Sequence, residues 1–204
     1  MNNNVNILDK TQCTGCGLCY NLCPKQAIKM EADVEGFLTP VIDESVCVDC
    51  GICKNNCPQM AGNIAYQEVN HAYAVICADE IREKCSSGGF FGAVGKWAIK
   101  KGGTVFGAAY SDDFRKVLHK KAQTEKQLLA LCKSKYLQSD TGTIYSEVKE
   151  ELLRDKPVVF CGCPCQVDAL KRYLKKDYPN LLQIPPKTIH MPLVKLLRDT
   201  EYQS

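Results

Sequence analysis

The segment C-T-G-C-G-L-C-Y-N-L-C-P, from Cys13 to Pro24, returns 34 residues later as C-V-D-C-G-I-C-K-N-N-C-P, from Cys47 to Pro58. The four cysteines and the proline recur at that one offset, as do Gly17 and Gly51. The spacing C-x2-C-x2-C-x3-C-P is typical of bacterial ferredoxins, in which three close cysteines bind one iron–sulfur cluster and the fourth binds the other. The repeat therefore predicts two 4Fe–4S clusters on one small domain.

This crossed spacing assigns four cysteines to each cluster. We expect the first cluster to be bound by Cys13, Cys16, Cys19 and Cys57. We expect the second cluster to be bound by Cys47, Cys50, Cys53 and Cys23. Two alternatives fit less well, because a disulfide framework needs an oxidising compartment and structural zinc sites usually have two C-x2-C pairs separated by a longer loop.

The composition is that of a soluble globular chain with an unusual number of cysteines. The chain has 204 residues, enough for one large or two small domains, and eight of its 14 cysteines belong to the repeat. The start of the chain, Met1 to Asn6, has no basic region or apolar core of a signal peptide. No apolar stretch approaches the roughly 18 residues that cross a bilayer. We therefore expect the protein to be located in the reducing cytoplasm, where thiolates persist as metal ligands.

Charge is distributed unevenly along the chain. Residues 1–63 carry four lysines against seven acidic residues, a net charge of −3, and residues 64–204 carry a net charge of +6. An acidic module beside a basic one suits the docking of redox proteins or an anionic ligand, although an unevenly charged, solvated surface gives the same pattern. The chain has no compact arginine-rich stripe, so no nucleic-acid partner is expected.

Secondary-structure patterns divide the chain into three parts. Residues 1–63 are predicted to form an α+β ferredoxin-like dicluster domain, with a short helix at Lys25–Met30 after Pro24. Residues 64–182 are predicted to form an α/β domain with a mixed sheet, and residues 183–204 a divergent or truncated tail.

Alternating strands and helices define this predicted α/β domain. Strands are predicted at Ala72–Ala78, Thr104–Tyr110, Lys116–Ala122 and Pro157–Phe160. An amphipathic helix is predicted from Phe90, with Trp97 on its apolar stripe. Further helices are predicted at Thr124–Cys132, Thr143–Arg154 and Gln166–Lys176.

Two short motifs in this domain could carry chemistry. Ser86-Ser87-Gly88-Gly89 precedes a helix and could cradle an anion, although serine capping of the helix, with glycine permitting the turn, is the favoured explanation of the motif alone. Cys161-Gly162-Cys163-Pro164-Cys165 lies at a strand-to-helix turn, where a helix N-terminus favours thiolates for metal binding or redox chemistry. A third cluster there would need a fourth ligand, for which Cys85 is a candidate. Cys77 and Cys132 are predicted to be small buried hydrophobic residues.

Three segments in this order resemble a known family: S-S-G-G-F-F from Ser86, S-K-Y-L-Q-S from Ser134, and P-V-V-F-C-G-C-P-C-Q-V-D-A-L-K from Pro157. Together with the cysteine repeat, they make residues 5–182 similar to the N-terminal part of the coenzyme F-420 hydrogenase/dehydrogenase β-subunit family. The resemblance implies a flavoprotein that binds FAD and passes electrons between iron–sulfur clusters and a substrate, which is coenzyme F-420 in some members.

The resemblance also implies roles for individual residues. Ser86, Ser87, Gly88 and Gly89 would lie near the flavin, and Lys135, Tyr136 and Gln138 would line the flavin or substrate pocket. Cys165 would be a ligand of a third 4Fe–4S cluster. After residue 182 the chain departs from the family, which continues into a C-H-G-type segment and a large remainder of the catalytic region, so we expect a truncated member.

The resulting functional hypothesis is an iron–sulfur flavoprotein oxidoreductase subunit. Two 4Fe–4S clusters would relay electrons from a redox protein, such as ferredoxin or a hydrogenase or dehydrogenase subunit, to a flavin and on to a small-molecule acceptor. The alternatives are a simple ferredoxin-type electron carrier whose second domain is not catalytic, and a structural module whose cysteines bind zinc.

Overall fold

The computed structural model describes residues 3–61, 74–86 and 88–184. It contains a two-stranded sheet near the N-terminus and a five-stranded sheet in the second half of the chain. Within those residues, no helix has the length and apolar character that a membrane crossing requires.

The N-terminal part is built from short elements around the cysteine repeat. It contains 3-10 turns at Val5–Ile7 and Lys10–Gln12, helices α1 (Leu18–Leu22) and α2 (Ile52–Asn56), and strands β1 (Ile28–Ala32) and β2 (Leu38–Ile42). Helices α1 and α2 begin directly after Gly17 and Gly51, whose φ angles are +73° and +76°. The two glycines of the repeat thus hold the left-handed conformation that a side chain disfavours.

The helix predicted at Lys25–Met30 is wrong, because this segment leads into β1. Strand β1 pairs antiparallel with β2, with Ile28 opposite Ile42, and both isoleucines are buried. A turn begins at Asp33, whose carboxylate accepts hydrogen bonds from the backbone N–H groups of Glu35 and Phe37 at 2.9 Å. This hairpin turn places the two isoleucines on one face, so cross-strand pairing outweighs the local preference of the chain after Pro24.

The described residues of the second part form ten elements in α/β order. Its helices are α3 (Asp79–Arg82), α4 (Phe90–Lys100), α5 (Glu125–Leu131), α6 (Ile144–Leu152) and α7 (Pro164–Leu174). Its strands are β3 (Thr104–Tyr110), β4 (Val117–Ala122), β5 (Ser139–Asp140), β6 (Val158–Cys161) and β7 (Leu181–Ile184).

The five strands form a mixed sheet in the order β5-β4-β3-β6-β7. Strands β3 and β4 are antiparallel, whereas the other neighbouring pairs are parallel. The mixed α/β sheet predicted from the sequence is therefore confirmed. Strand β7 pairs with β6 as far as Ile184, so regular structure continues past residue 182, where the predicted tail begins.

Helices cover both faces of this sheet. Along β6, Val158 and Phe160 pack in one apolar cluster, and Val159 packs in the other. The first cluster includes residues of α6 and α7, whereas the second includes residues of α4 and α5. A strand that is buried on both faces explains the continuous apolar run in the sequence.

Two predictions for the segment before β3 differ from the structure. Trp97 is 52% exposed rather than part of the core, because α4 is buried through the small residues Gly92, Gly95 and Ala98. A Cβ at Gly95 would lie 2.6 Å from Leu128, so the small side chains allow α4 to approach α5 closely. Residues 74–78, the described part of the predicted Ala72–Ala78 strand, form no strand. These apolar residues form no strand pairing with either of the described sheets.

Candidate functional site

The eight cysteines of the repeat surround two separate cavities. The first cavity is lined by Cys13, Cys16, Cys19 and Cys57. The second cavity is lined by Cys23, Cys47, Cys50 and Cys53. The structure therefore brings together three close cysteines of one repeat with the fourth cysteine of the other, in the two sets that the spacing predicts.

Residues 12–61 match the family described as the 4Fe–4S dicluster domain. The match covers about a quarter of the chain, and we call this part the dicluster domain. Pyruvate synthase subunit PorD from Thermotoga maritima is 65% identical over 23 residues. That similarity covers 11% of this chain and 23% of PorD, so this chain matches less than a quarter of that protein. A 4Fe–4S dicluster domain is thus present, and both findings support an iron–sulfur electron carrier.

The chemistry of the two cavities suits 4Fe–4S clusters. Their walls carry apolar side chains besides the thiols, including Leu18 and Met30 in the first and Ile28 and Ile52 in the second. Backbone N–H groups point at the sulfurs, for example Ala27 N, which donates to Cys23 Sγ at 3.3 Å. Apolar walls and N–H···S bonds are two of the means by which proteins adjust the potential of such clusters.

Burial makes the free thiols in these cavities poor acids. It raises the pKa of Cys16 to about 12 and also raises the pKa values of Cys13, Cys19 and Cys53. Iron binding must therefore displace protons from the thiols, which couples cluster assembly to pH. In residues 3–61, 74–86 and 88–184, no three Cys, His, Asp or Glu side chains converge on one metal ion. This wider arrangement is compatible with a cluster in which each thiolate binds its own iron.

The loop of the first cavity is fastened to the α/β domain. Tyr145, a fully buried residue of α6, donates a hydrogen bond from Oη to the carbonyl oxygen of Cys16 at 2.6 Å. The hydroxyl of Thr141 donates to the same oxygen at 3.3 Å. The amide of Asn21 donates to the carbonyl oxygen of Gly142 at 2.8 Å. The first cavity thus lies at the junction of the two domains.

A third and larger cavity of about 300 Å³ lies at the sheet of the α/β domain. Residues of β3, β4, β5 and β6 contribute to its walls, including Cys161 at the end of β6, and the turn after β6 borders it at Gly162 and Cys163. Sheets that contain parallel strands commonly bind ligands outside the carboxyl ends of those strands. Its volume falls at the lower end of the range for small-molecule sites, about 300–1,000 Å³.

The residues predicted to contact a flavin are only partly gathered at this cavity. Ser86, Lys135 and Tyr136 line it, whereas Gly88 and Gly89 do not. Gly89 is the N-cap of α4 with a φ of +81°, which supports its simpler interpretation as a turn residue. Ser87 lies outside the described residues.

Gln138 faces the dicluster domain instead of the cavity. Its Oε1 accepts a hydrogen bond from the backbone N–H of Leu38 at 2.7 Å, and its Nε2 donates to the carbonyl oxygen of Thr14 at 3.2 Å. The flat polar segment from Lys133 to Ser139 thus provides both a cavity wall and a domain contact. The spacing of apolar residues in this segment does not indicate which side chains face the cavity and which face the dicluster domain.

The three cysteines at the end of β6 and in the turn that follows lie in different surroundings. Cys161 packs with the α4 and α5 side of the sheet, and Cys165 packs on the α6 and α7 side. Cys163 is exposed at the N-terminus of α7. Burial raises the pKa of Cys165, an effect partly offset by a hydrogen bond from Thr14. The structure therefore places Cys165 beside the first cluster loop and apart from Cys85, the predicted fourth ligand of a third cluster.

His119 and Ser134 are cavity residues that were not singled out from the sequence. His119 is 7% exposed, and its ring stacks on Phe160 with the two ring centroids 5.4 Å apart. Its Nε2 donates a hydrogen bond to the carbonyl oxygen of Cys161 at 3.1 Å. Its Nδ1 has no hydrogen-bond partner among the described residues. Burial lowers the pKa of His119 to about 4, so the ring is neutral at pH 7. One pattern in the sequence could have indicated that His119 is buried: it lies two residues after Val117 in β4, so both side chains lie on the same face of the strand.

Proposed function

We propose that this protein is an iron–sulfur flavoprotein oxidoreductase subunit similar to the coenzyme F-420 hydrogenase/dehydrogenase β subunits. In this role the dicluster domain accepts electrons, and the cavity of the α/β domain binds FAD together with a small-molecule acceptor. The observation that carries the proposal is the position of this cavity next to the segment that touches the first cluster loop.

The turn after β6 provides that connection. Cys163 lines the cavity, and two residues later Cys165 receives a hydrogen bond from Thr14, the residue after Cys13. Only this short stretch at the start of α7 separates the cavity wall from the loop of the first cluster. Such proximity is what an electron relay between clusters and a second redox group requires.

The lining of the cavity suits a flat heteroaromatic ligand. Phe91, Leu131 and Leu137 provide apolar surface, and Ser134 provides a hydroxyl. His119 lines the cavity, and the Nδ1 atom of its neutral ring is a buried acceptor without a partner among the described residues. When bound, a flavin would supply the exchange between one-electron carriers and a two-electron acceptor.

The ammonium group of Lys135 binds backbone carbonyl groups and is not an unpaired cation facing the cavity. Its Nζ donates hydrogen bonds to the carbonyl oxygens of Ala130 and Cys132, at 2.9 and 2.7 Å. These bonds satisfy carbonyl groups at the C-terminal end of α5, where a cation is favourable. We therefore assign Lys135 to shaping the cavity wall and Tyr136 to contacting the ligand.

The partners of this subunit are proposed from chemistry. The dicluster domain would receive electrons from ferredoxin or from a hydrogenase or dehydrogenase subunit, in the cytoplasm, where thiolates persist as iron ligands. The acceptor would be coenzyme F-420 or a similar small molecule. A plain electron carrier is the second candidate, favoured by the dicluster match, which covers residues 12–61 alone.

Anaerobic reconstitution with FAD separates these two candidates. The wild-type protein should retain about one FAD per chain after desalting, as expected if the 300 Å³ cavity is the flavin site. Ala108→Phe places a large side chain in the cavity wall and should abolish FAD retention while leaving iron content unchanged.

The matched control is Ala130→Phe, which changes an exposed alanine of α5 and should retain FAD. If the wild-type protein with intact clusters never retains FAD, the flavoprotein proposal fails and the electron-carrier function stands. FAD retention in Ala108→Phe equal to that of the wild type would show that FAD binds elsewhere.

A further inference from the structure

Cys85 and Cys132 form a close pair of thiols outside the dicluster domain. Their Sγ atoms lie 3.2 Å apart, although the two residues are 47 positions apart in the chain. Cys85 follows α3 and lies five residues before α4, and Cys132 is the C-cap of α5. Neither cysteine belongs to the repeat or to the turn after β6.

The backbone around this pair is already held together. The hydroxyl of Ser86, next to Cys85, accepts a hydrogen bond from the backbone N–H of Ser134 at 2.8 Å. Lys135 fixes the other side by donating to the carbonyl oxygen of Cys132. A Cβ at Gly92 would collide with Cys85 Sγ, so glycine at this position leaves room for the two sulfurs.

This arrangement is close to the geometry of a bonded pair. The S–S bond of a disulfide measures about 2.05 Å. Starting from 3.2 Å, the two sulfurs need to approach each other by only about 1 Å.

We propose that Cys85 and Cys132 are a modification site that closes to a reversible disulfide in exchange with low-molecular-weight disulfides. The bond would join the segment that precedes α4 to the end of α5. These are the two segments that carry Ser86 and Ser134 into the wall of the 300 Å³ cavity. The disulfide would therefore fix one side of that cavity covalently.

The two cysteines differ in access, which sets the order of the reaction. Cys85 lines both the large cavity and a small cavity of about 50 Å³, whereas Cys132 is 4% exposed and lines only the small one. Burial raises the pKa of Cys132 to about 12, which keeps it a thiol in the resting protein. Cys85 is thus the residue that meets an external disulfide first.

The exchange balances without any other oxidant. The Cys85 thiol loses a proton and attacks one sulfur of a small disulfide RSSR, which forms a mixed disulfide and releases one RSH. The Cys132 thiol then loses its proton and attacks Cys85 Sγ, which forms the internal disulfide and releases the second RSH. The two cysteines lose two electrons, and the small disulfide gains them with two protons.

Peptide mapping of the cluster-loaded protein tests this proposal. The anaerobically purified protein is equilibrated with mixtures of oxidised and reduced glutathione, alkylated, digested without reduction, and analysed by mass spectrometry. We expect a cross-linked peptide containing Cys85 and Cys132 that becomes the major form as the oxidised fraction rises. It should disappear on reduction and be absent in Cys85→Ser and Cys132→Ser.

Cys77→Ser is the matched control, because Cys77 is a half-buried cysteine of the same segment outside the pair. This variant should give the same cross-link as the wild type. If Cys132→Ser does not fold, Cys132→Ala and the linkage map of the wild-type protein decide the question.

Three outcomes would overturn the proposal. One is glutathione that remains on Cys85 without an internal cross-link at any ratio. The second is a cross-link between Cys85 and Cys161, another cysteine of the large cavity. The third is a loss of iron in Cys85→Ser, which would make Cys85 a cluster ligand. None of these outcomes depends on FAD binding, so this proposal can fail independently of the proposed function.

Discussion

The phenol of Tyr145 links the chemistry of the first cluster to the core of the α/β domain. Its hydroxyl is buried and donates to the carbonyl oxygen of Cys16, one of the proposed ligands. Burial holds the pKa of Tyr145 well above its usual value, so the group stays a donor across the working pH range. A hydrogen bond to the ligand backbone fixes the loop around the cluster and contributes to its electrostatic environment.

Tyr145→Phe should therefore destabilise the protein and shift the potential of one cluster. The Cys16 carbonyl keeps the hydrogen bond from Thr141 but loses the shorter one from Tyr145, which costs about 0.5–1.5 kcal/mol. We expect a lower melting temperature and a shifted potential for the first cluster in redox titrations followed by EPR, with the second cluster unchanged. Tyr110→Phe, which removes a hydroxyl at the exposed end of β3, serves as control. Equal shifts of both clusters would argue against this local role.

His119 predicts a pH dependence of stability. Burial lowers its pKa from 6.5 to about 4 in the folded protein. As the pH falls below 6.5, the unfolded chain binds a proton that the folded chain does not, so stability is lost progressively down to about pH 4. The total loss from this residue is about 3–4 kcal/mol.

His119→Phe keeps a ring on Phe160 but removes the titrating group. Its stability should decline less steeply than that of the wild type between pH 6.5 and 4.5. The measurement is urea unfolding at several pH values, followed by the fluorescence of Trp97, the single tryptophan. Parallel declines in the two proteins would show that His119 is not protected from protonation.

At the level of elements, the residue before α1, Gly17, has a left-handed backbone conformation and also packs against the α/β domain. Gly17 has a φ of +73°, and a Cβ there would collide with Thr141 Oγ1. Gly36, in the β1–β2 turn, has a φ of +89° with open space around it. The two glycines therefore share backbone strain on substitution but differ in steric contact.

Gly36→Ala should cost about 1–2 kcal/mol through backbone strain alone. Gly17→Ala should cost more, because the added methyl group also displaces Thr141 from its bond to Cys16. The double variant Gly17→Ala with Thr141→Ala should be less destabilised than the sum of the single variants. Thermal melts of the wild type, Gly36→Ala, Gly17→Ala, Thr141→Ala and the double variant measure this. Equal losses for the two glycine variants would contradict a tight contact at Gly17.

The elements also show where sequence reasoning succeeds. Strands β3 and β6 were predictable as short apolar runs, and helix α4 because its apolar residues recur at three- and four-residue spacing. The helix predicted at Lys25–Met30 failed because Ile28 pairs with Ile42, a partner 14 residues away that local propensity does not report. The prediction that Trp97 lies in the core failed because the buried side of α4 consists of glycine and alanine, which add little to a hydrophobic pattern.

For the whole molecule, the metal chemistry was more predictable than the cavity. Eight cysteines at fixed spacing predict two sets of cluster ligands, because cluster geometry restricts which sulfurs can bind the same cluster. The cavity depends on His119, Ser86 and Ser134, which the chain brings together from separate elements. Their proximity follows from the sheet order β5-β4-β3-β6-β7, which no short motif encodes.

The two domains are also joined more closely than charge distribution alone suggested. Cys16 and Leu18 of the dicluster domain belong to the same apolar cluster as Phe106 and Leu170 of the α/β domain. Gln138 and Asn21 add hydrogen bonds across the junction. The first cluster is therefore expected to sense changes in the α/β domain, whereas the second cavity has no α/β residue among its lining.

The crossed ligand sets are the central claim, and iron counting in two double variants tests them most directly. The wild-type protein, reconstituted anaerobically, should contain about eight irons and eight sulfides per chain. Cys13→Ala with Cys57→Ala removes two ligands of one proposed cluster, so about four irons should remain. Cys47→Ala with Cys57→Ala removes one ligand from each cluster, so neither four-iron cluster should remain intact. The reverse pattern, with an intact cluster only in the Cys47 and Cys57 double variant, or zinc in place of iron, would contradict the account.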